Sequence, residues 1–157
     1  MKRAPRHNGK TINMENIFDV CASTRRIFDR MLKASQIRGV GGSCLFASYL
    51  LRRSLVKFCS CEAMIRGGDG GLEEGILGVD GRWHGHYWVE FRDASRAVFI
   101  ADITADQFGH ADVVLLPLHS STGLYRHGEQ KIVEEVVGDL ERDIASERQH
   151  DGALLMG

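Results

Sequence analysis

A cysteine, a histidine and an aspartate, Cys44, His86 and Asp102, stand in this chain in settings that suit nucleophilic catalysis. Cys44 follows Gly41, Gly42 and Ser43 and precedes a run of good helix formers, Leu45 to Leu51, so Ser43 reads as an N-cap and Cys44 as the first helical residue. A thiol there meets unpaired backbone N–H groups and the positive end of the helix dipole. Both stabilise the thiolate, which is the nucleophile. Gly41 and Gly42 leave room for a substrate backbone to approach the sulfur. Position alone also fits a small core side chain, because free cysteines are among the most buried residue types.

The partners for such a thiol lie on two strand-like segments. Residues 82–91 alternate, with Tyr87, Val89 and Phe91 on one face and His84, His86, Trp88 and Glu90 on the other; residues 98–103 place Val98, Ile100 and Asp102 together. A three-residue loop, Asp93-Ala94-Ser95, makes them a hairpin in which Arg92 opposes Arg96 and His86 directly opposes Asp102. Opposed Cβ atoms lie roughly 4.5–5.5 Å apart, so the carboxylate reaches an imidazole N–H, while the opposed arginines are mildly unfavourable. In that arrangement Cys44 attacks a carbonyl, His86 takes its proton and returns one to the leaving amine, and Asp102 fixes the imidazole tautomer. The Cys44 backbone N–H is the first oxyanion donor, with Gln36, Trp83 or the glycine-rich loop as candidates for a second.

The elements that must position these residues follow in order. Residues 1–12 read as a flexible basic arm. Residues 16–35 carry Ile17, Val20, Cys21, Ile27, Phe28, Met31 and Leu32 at helical spacing, with Arg25, Arg26, Asp29, Arg30 and Lys33 on the other face. The Cys44 helix runs to about residue 58, and residues 59–66 read as a short strand. Seven glycines fall between positions 67 and 81, which predicts a mobile connection, either a linker or a lid, with a short strand at 76–79 turning at Asp80-Gly81. Residues 112–118 read as a strand that Pro117 confines to a sheet edge. Residues 120–129 read as a loop, and 130–147 as an amphipathic helix with Ile132, Val133, Val136, Val137, Leu140 and Ile144 inward. The expected organisation is one α+β catalytic domain over 13–150 and a tail at 151–157.

At 157 residues, 43% hydrophobic and 26% charged, the chain has the composition of a soluble globular domain. A net charge of −1 gives no general attraction to nucleic acid or to a membrane surface, and no apolar run reaches the length of a span. The four cysteines form no disulfide framework, which points to a reducing cytoplasm, with signal-less export left open.

Gly42-Ser43-Cys44 opening a helix, His86-Tyr87-Trp88-Val89-Glu90 on a strand and Asp102-Ile103-Thr104 ending the next together resemble the transglutaminase-like branch of the papain-like cysteine enzymes. There an H-x-W-[VL]-E strand and a D-x-T strand carry the catalytic histidine and aspartate. The resemblance covers residues 41–108. It implies a cysteine-bearing helix packed on an antiparallel sheet, a Cys44-His86-Asp102 triad, no cofactor, and a protein or peptide substrate. The implied activities are glutamine deamidation or transamidation, with peptide cleavage of the leader-peptidase type as the alternative. Trp83, Trp88, Gly42 and Gln107 are expected to contact substrate, and Gln107 to help orient the Asp102 loop.

Two rival readings use the same residues. Cys59-x-Cys61 with His84-x-His86 supplies four zinc-type ligands, but a one-residue gap is short for a structural zinc site, and the expected metal set is none. A non-catalytic binding module would instead use Trp83, Tyr87 and Trp88 as an aromatic surface. Glu90 reads as a partner behind the site or a plain surface carboxylate, and His110, His119 and His127 as solvated loop residues.

Overall fold

The computed structural model describes residues 13–35 and 42–154, so the expected arm at 1–12, Gln36 and Gly41 lie outside the described residues. Helix α1 (Met14–Ala34) begins where the Asn13 side chain accepts the Glu15 N–H, and it buries one stripe, Ile17, Cys21, Thr24, Phe28 and Leu32. Helix α2 (Cys44–Cys59) starts at the cysteine and buries Ala47, Ser48, Tyr49, Leu51 and Leu55. Seven strands follow: β1 (Glu62–Gly68), β2 (Gly75–Leu77), β3 (Trp83–His84), β4 (His86–Arg92), β5 (Val98–Asp102), β6 (Val114–Pro117) and β7 (Tyr125–Arg126). Helix α3 (Gln130–Leu154) runs through the start of the expected tail at 151–157.

The strands form two antiparallel sheets, ordered β1-β4-β5-β6 and β3-β2-β7, so the class is α+β. Strand β6 sits at the edge, as Pro117 requires. The alternation along β4 sorts its side chains into two cores. Val89 and Phe91, with Tyr87 beside them, pack against α1, α2 and α3, whereas Trp88 packs with Ile76, Ile100, Ala105 and Tyr125 beneath the smaller sheet. Trp88 has no exposed surface. Burying an aromatic ring of that size stabilises by roughly 4–6 kcal/mol before entropy is subtracted.

Three expectations change in the structure. The hairpin loop still holds three residues, but it lies one residue later, at 94–96. Asp93 and Ala97 close it, the Arg96 N–H bonds the Asp93 carbonyl, and Arg96 takes a left-handed φ of 68°. The Asp93 carboxylate locks that turn by accepting the Ala97 N–H at 3.0 Å and the Ser95 hydroxyl at 2.6 Å. Arg92 therefore faces Val98, and the unfavourable arginine pair never forms.

Second, the segment read as one strand, 82–91, is split at Gly85 between the two sheets. A Cβ at Gly85 would lie 2.9 Å from the Asp69 carbonyl oxygen, so the close approach of these backbones requires glycine.

Third, residues 67–81 carry regular structure where a linker or a lid is expected. They finish β1, form β2 and turn at Asp80-Gly81 into β3, as the hairpin dipeptide predicts. Gly75, at φ +101°, lies so close to the carbonyl of His84 that a Cβ would sit 2.0 Å from its oxygen. Gly75→Ala is expected to cost several kcal/mol or to abolish folding. Gly81→Ala meets open space at φ +76° and is expected to cost only the left-handed strain, about 1–2 kcal/mol. Urea denaturation of the two variants checks the difference.

Candidate active site

The site forms where the start of α2, the start of β4 and the end of β5 converge. Asp102 is the last residue of β5, and the observed register brings it level with Trp88, two residues along from His86 on the same face. The contact is thus diagonal across the ladder, and the length of the two side chains closes it. His86 Nε2 lies 2.7 Å from Asp102 Oδ2, and both residues are buried.

Asp102 is held by more donors than sequence alone suggests. Its Oδ2 also accepts the Tyr125 hydroxyl at 2.9 Å, and its Oδ1 accepts the Thr104 N–H at 2.9 Å and the Thr104 hydroxyl at 3.4 Å. Burial opposes its charge, yet the neighbouring imidazole and these donors hold Asp102 below the usual carboxylate range. An ionised carboxylate can only accept, so Nε2 carries a proton and Nδ1 is the ring nitrogen left for chemistry.

Cys44 is the first residue of α2, as expected, and is 9% exposed, so the thiol sits at the margin of the core and not on an open tip. Ser43 takes the N-cap position, but its side chain makes no cap hydrogen bond to the helix. The thiol lies beside His86, close enough to help hold its proton. Burial works against the imidazolium, but the Asp102 carboxylate and Cys44 outweigh it and push His86 from 6.5 to about 9.

The expected substrate-contact residues divide. Gln107 reaches the site, with its Nε2 3.4 Å from His86 Nδ1, and so meets the imidazole rather than the Asp102 loop. Gly42 is exposed at φ +75°, next but one before the cysteine, with no heavy atom of the described residues within 4 Å of its would-be Cβ. Trp83 is half-buried under the Arg126 guanidinium, 4.7 Å from its ring centre. Trp88 is a core residue and presents no surface to a substrate or a partner, because the smaller sheet covers the face that alternation alone leaves open.

Sequence reasoning missed several supports. Tyr125 lies in a stretch read as loop, yet it forms β7, packs edge-on against Trp88 at 5.0 Å and reaches Asp102. Burial and the Asp102 charge raise its phenol well above the ordinary value, so it remains a donor. Arg25, read as part of the polar face of its helix, is half-buried in a clamp: it forks onto Asp106 at 2.8 and 2.9 Å and donates to the Ile103 carbonyl at 2.6 Å. That clamp ties α1 to the 3₁₀ turn Ala105–Phe108, which carries Gln107. Neighbouring charges at Arg25 and Asp29 point to a local helix pair, and nothing in their spacing announces the long-range one.

The remaining histidines and cysteines have other partners. His84 Nε2 bonds Asp80 at 2.9 Å, His110 bonds the Leu77 carbonyl at 2.7 Å, and His127 bonds Glu90 and stacks on Trp88, so neither His110 nor His127 is simply solvated. Cys59 and Cys61 pack in the helical core, away from the His84-His86 pair, and among the described residues no three or more His, Cys, Asp and Glu side chains converge as a metal site. Burial pushes Cys21 up to about 12 and Cys61 up to about 11, and raises Cys59 as well.

No family model, no curated protein and no solved structure matches this chain. Among the described residues, no helix is long and apolar enough to cross a membrane.

Two measurements test this geometry. Tyr125→Phe keeps the ring against Trp88 and leaves Asp102 one donor short, with an expected loss of about 1–3 kcal/mol in urea denaturation; an unchanged midpoint counts against the bond. The pH dependence of stability has a definite sign. His86 is raised on folding, so its contribution is fully present below 6.5 and is lost as pH rises through about 9. Asp102 is lowered, so its contribution is present above the ordinary carboxylate pKa and is lost as pH falls through its lowered folded value. Urea midpoints between pH 6 and 10 should fall for the native chain, with a flatter alkaline slope for His86→Ala.

Proposed function

We propose that the chain is a cysteine-dependent amidase or acyltransferase of the transglutaminase-like, papain-like plan its motifs resemble, with the side-chain amide of a protein glutamine as substrate. The observation that carries this reading is the oriented imidazole: Asp102 occupies Nε2, and Cys44, at a helix N-terminus, lies beside the ring, whose Nδ1 meets only the long contact from Gln107 among the described side-chain hydrogen bonds. A histidine–aspartate pair serving stability alone has no need of a thiol in that place.

In the proposed reaction the Cys44 sulfur attacks the amide carbonyl as the thiolate, its proton having passed to His86 Nδ1. The C–N bond breaks, Nδ1 protonates the leaving nitrogen, and ammonia departs from a thioester on Cys44. The acceptor then attacks the thioester carbonyl while Nδ1 takes its proton, and the thiolate leaves. Water as acceptor gives a glutamate, and an amine gives a substituted amide. Asp102 keeps the ring in the tautomer that serves both halves. The Cys44 N–H faces the developing oxyanion, where one donor is worth about 10²–10³ in rate.

Incubation with an unfolded glutamine-containing protein should release ammonia and add the mass of deamidation without new chain termini. New N-termini without ammonia would favour the peptidase reading. Cys44→Ala should abolish turnover, His86→Ala should slow it by about 10²–10⁴-fold, and Asp102→Asn by up to ~10⁴-fold. Turnover persisting in Cys44→Ala overturns the proposal. Under native conditions, haloacetamide should label Cys44 well before Cys21, Cys59 and Cys61, read peptide by peptide by mass spectrometry.

A further inference from the structure

His86 has a second neighbour besides the thiol, at Nδ1. The Gln107 carboxamide places its Nε2 3.4 Å from His86 Nδ1, at the long end of a hydrogen bond. Its position is fixed from behind. The turn Ala105–Phe108 is gripped by the Arg25 fork on Asp106, and Phe108 packs edge-on against His86 at 5.0 Å while stacking on His84 at 4.8 Å. Gln107 itself is only half-buried, at the margin of the core that encloses His86.

This placement has a consequence for the second half of the reaction. Whatever breaks a thioester on Cys44 must hand its proton to Nδ1, and so must come within hydrogen-bond reach of that atom. An acceptor so placed is also within reach of the Gln107 carboxamide. A carboxamide offers two N–H donors and a carbonyl with two lone pairs, so it can donate to the acceptor oxygen or accept an N–H or O–H from it.

We propose that Gln107 holds the acceptor, water or amine, against Nδ1 for breakdown of the Cys44 thioester. This inference rests on the cysteine-amidase reading and adds the residue that governs the acceptor step. In that step the water oxygen bonds to the thioester carbon, one of its protons passes to Nδ1, and the C–S bond breaks. The products are a carboxylic acid and the Cys44 thiolate beside a protonated His86. Gln107 exchanges no proton or electron pair.

The two halves of the cycle can be separated without knowing the natural substrate. p-Nitrophenyl acetate acylates a reactive thiol with a leaving group that needs no proton, so the burst of p-nitrophenolate reports acylation and the steady state reports deacylation. Iodoacetamide alkylation, which involves neither acceptor nor oxyanion, reports the state of the Cys44–His86 pair. In Gln107→Ala the burst and the alkylation rate should stay within threefold of the native chain, while deacylation falls at least tenfold and acetyl-Cys44 accumulates in intact-protein mass spectra. Gln107→Glu keeps an acceptor for the water proton and should recover part of the loss.

Equal falls in burst, alkylation and deacylation would show that Gln107 merely supports His86, and would overturn the proposal. Unchanged deacylation would overturn it as well. A native chain that is not acylated at Cys44 removes the cysteine-amidase reading itself, an outcome visible before any Gln107 variant is made.

Discussion

The buried carboxylate of Asp102 is the constraint on which the rest of this structure depends. A charge at 2% exposure is tolerated only when it is surrounded by donors, and here four converge on it: the His86 imidazole, the Tyr125 hydroxyl, and the N–H and hydroxyl of Thr104. The four donors come from three local causes. Thr104 is supplied by the chain turning sharply after β5, His86 by the neighbouring strand, and Tyr125 by a short strand of the second sheet. Removing any one leaves a buried oxygen short of a partner, so the geometry of the site and the stability of the fold are the same set of bonds.

The smaller sheet is what makes that carboxylate possible. Without β2, β3 and β7 the face of β4 bearing His86 and Trp88 would be wet, and Asp102 would be an ordinary surface acid. With them, Trp88 fills a second core with Ile76, Ile100, Ala105 and Tyr125, water is excluded, and the field between His86 and Asp102 is strengthened. Gly67, Gly68, Gly70, Gly75 and Gly85 serve this same purpose. They let the backbones of β1, β2 and the β3–β4 junction approach more closely than any side chain would permit, and the second sheet can then close over the first.

Much of this was legible along the chain, for reasons of period. Helical spacing in the first and last thirds gave α1 and α3, with the caution that α3 continues to Leu154, and alternation in β4 and β5 put His86 and Asp102 on one face. The hairpin register was misplaced by one loop residue, because Asp93 bonds its own turn and moves Arg96 into the left-handed region. A shift of one loop residue moves the pairing by two positions, which preserves the face, so the His86–Asp102 contact survived the error. Tyr125 and Arg25 were not legible. Their long-range partners lie 23 and 78 to 81 residues away in sequence, and no local pattern encodes such a meeting.

The sequence by itself determined the chemical types and their faces: a cysteine opening a helix, and a histidine and an aspartate sharing one side of two strands. Those follow from backbone geometry and side-chain periodicity, which act within a few residues. Tertiary structure alone decided that Trp88 is core and not surface, that Asp102 is saturated with donors, that Gln107 stands at Nδ1 of His86, and that Arg25 holds the turn beneath it. Burial and dielectric are properties of what packs on top of a residue, and the covering elements here come from distant parts of the chain.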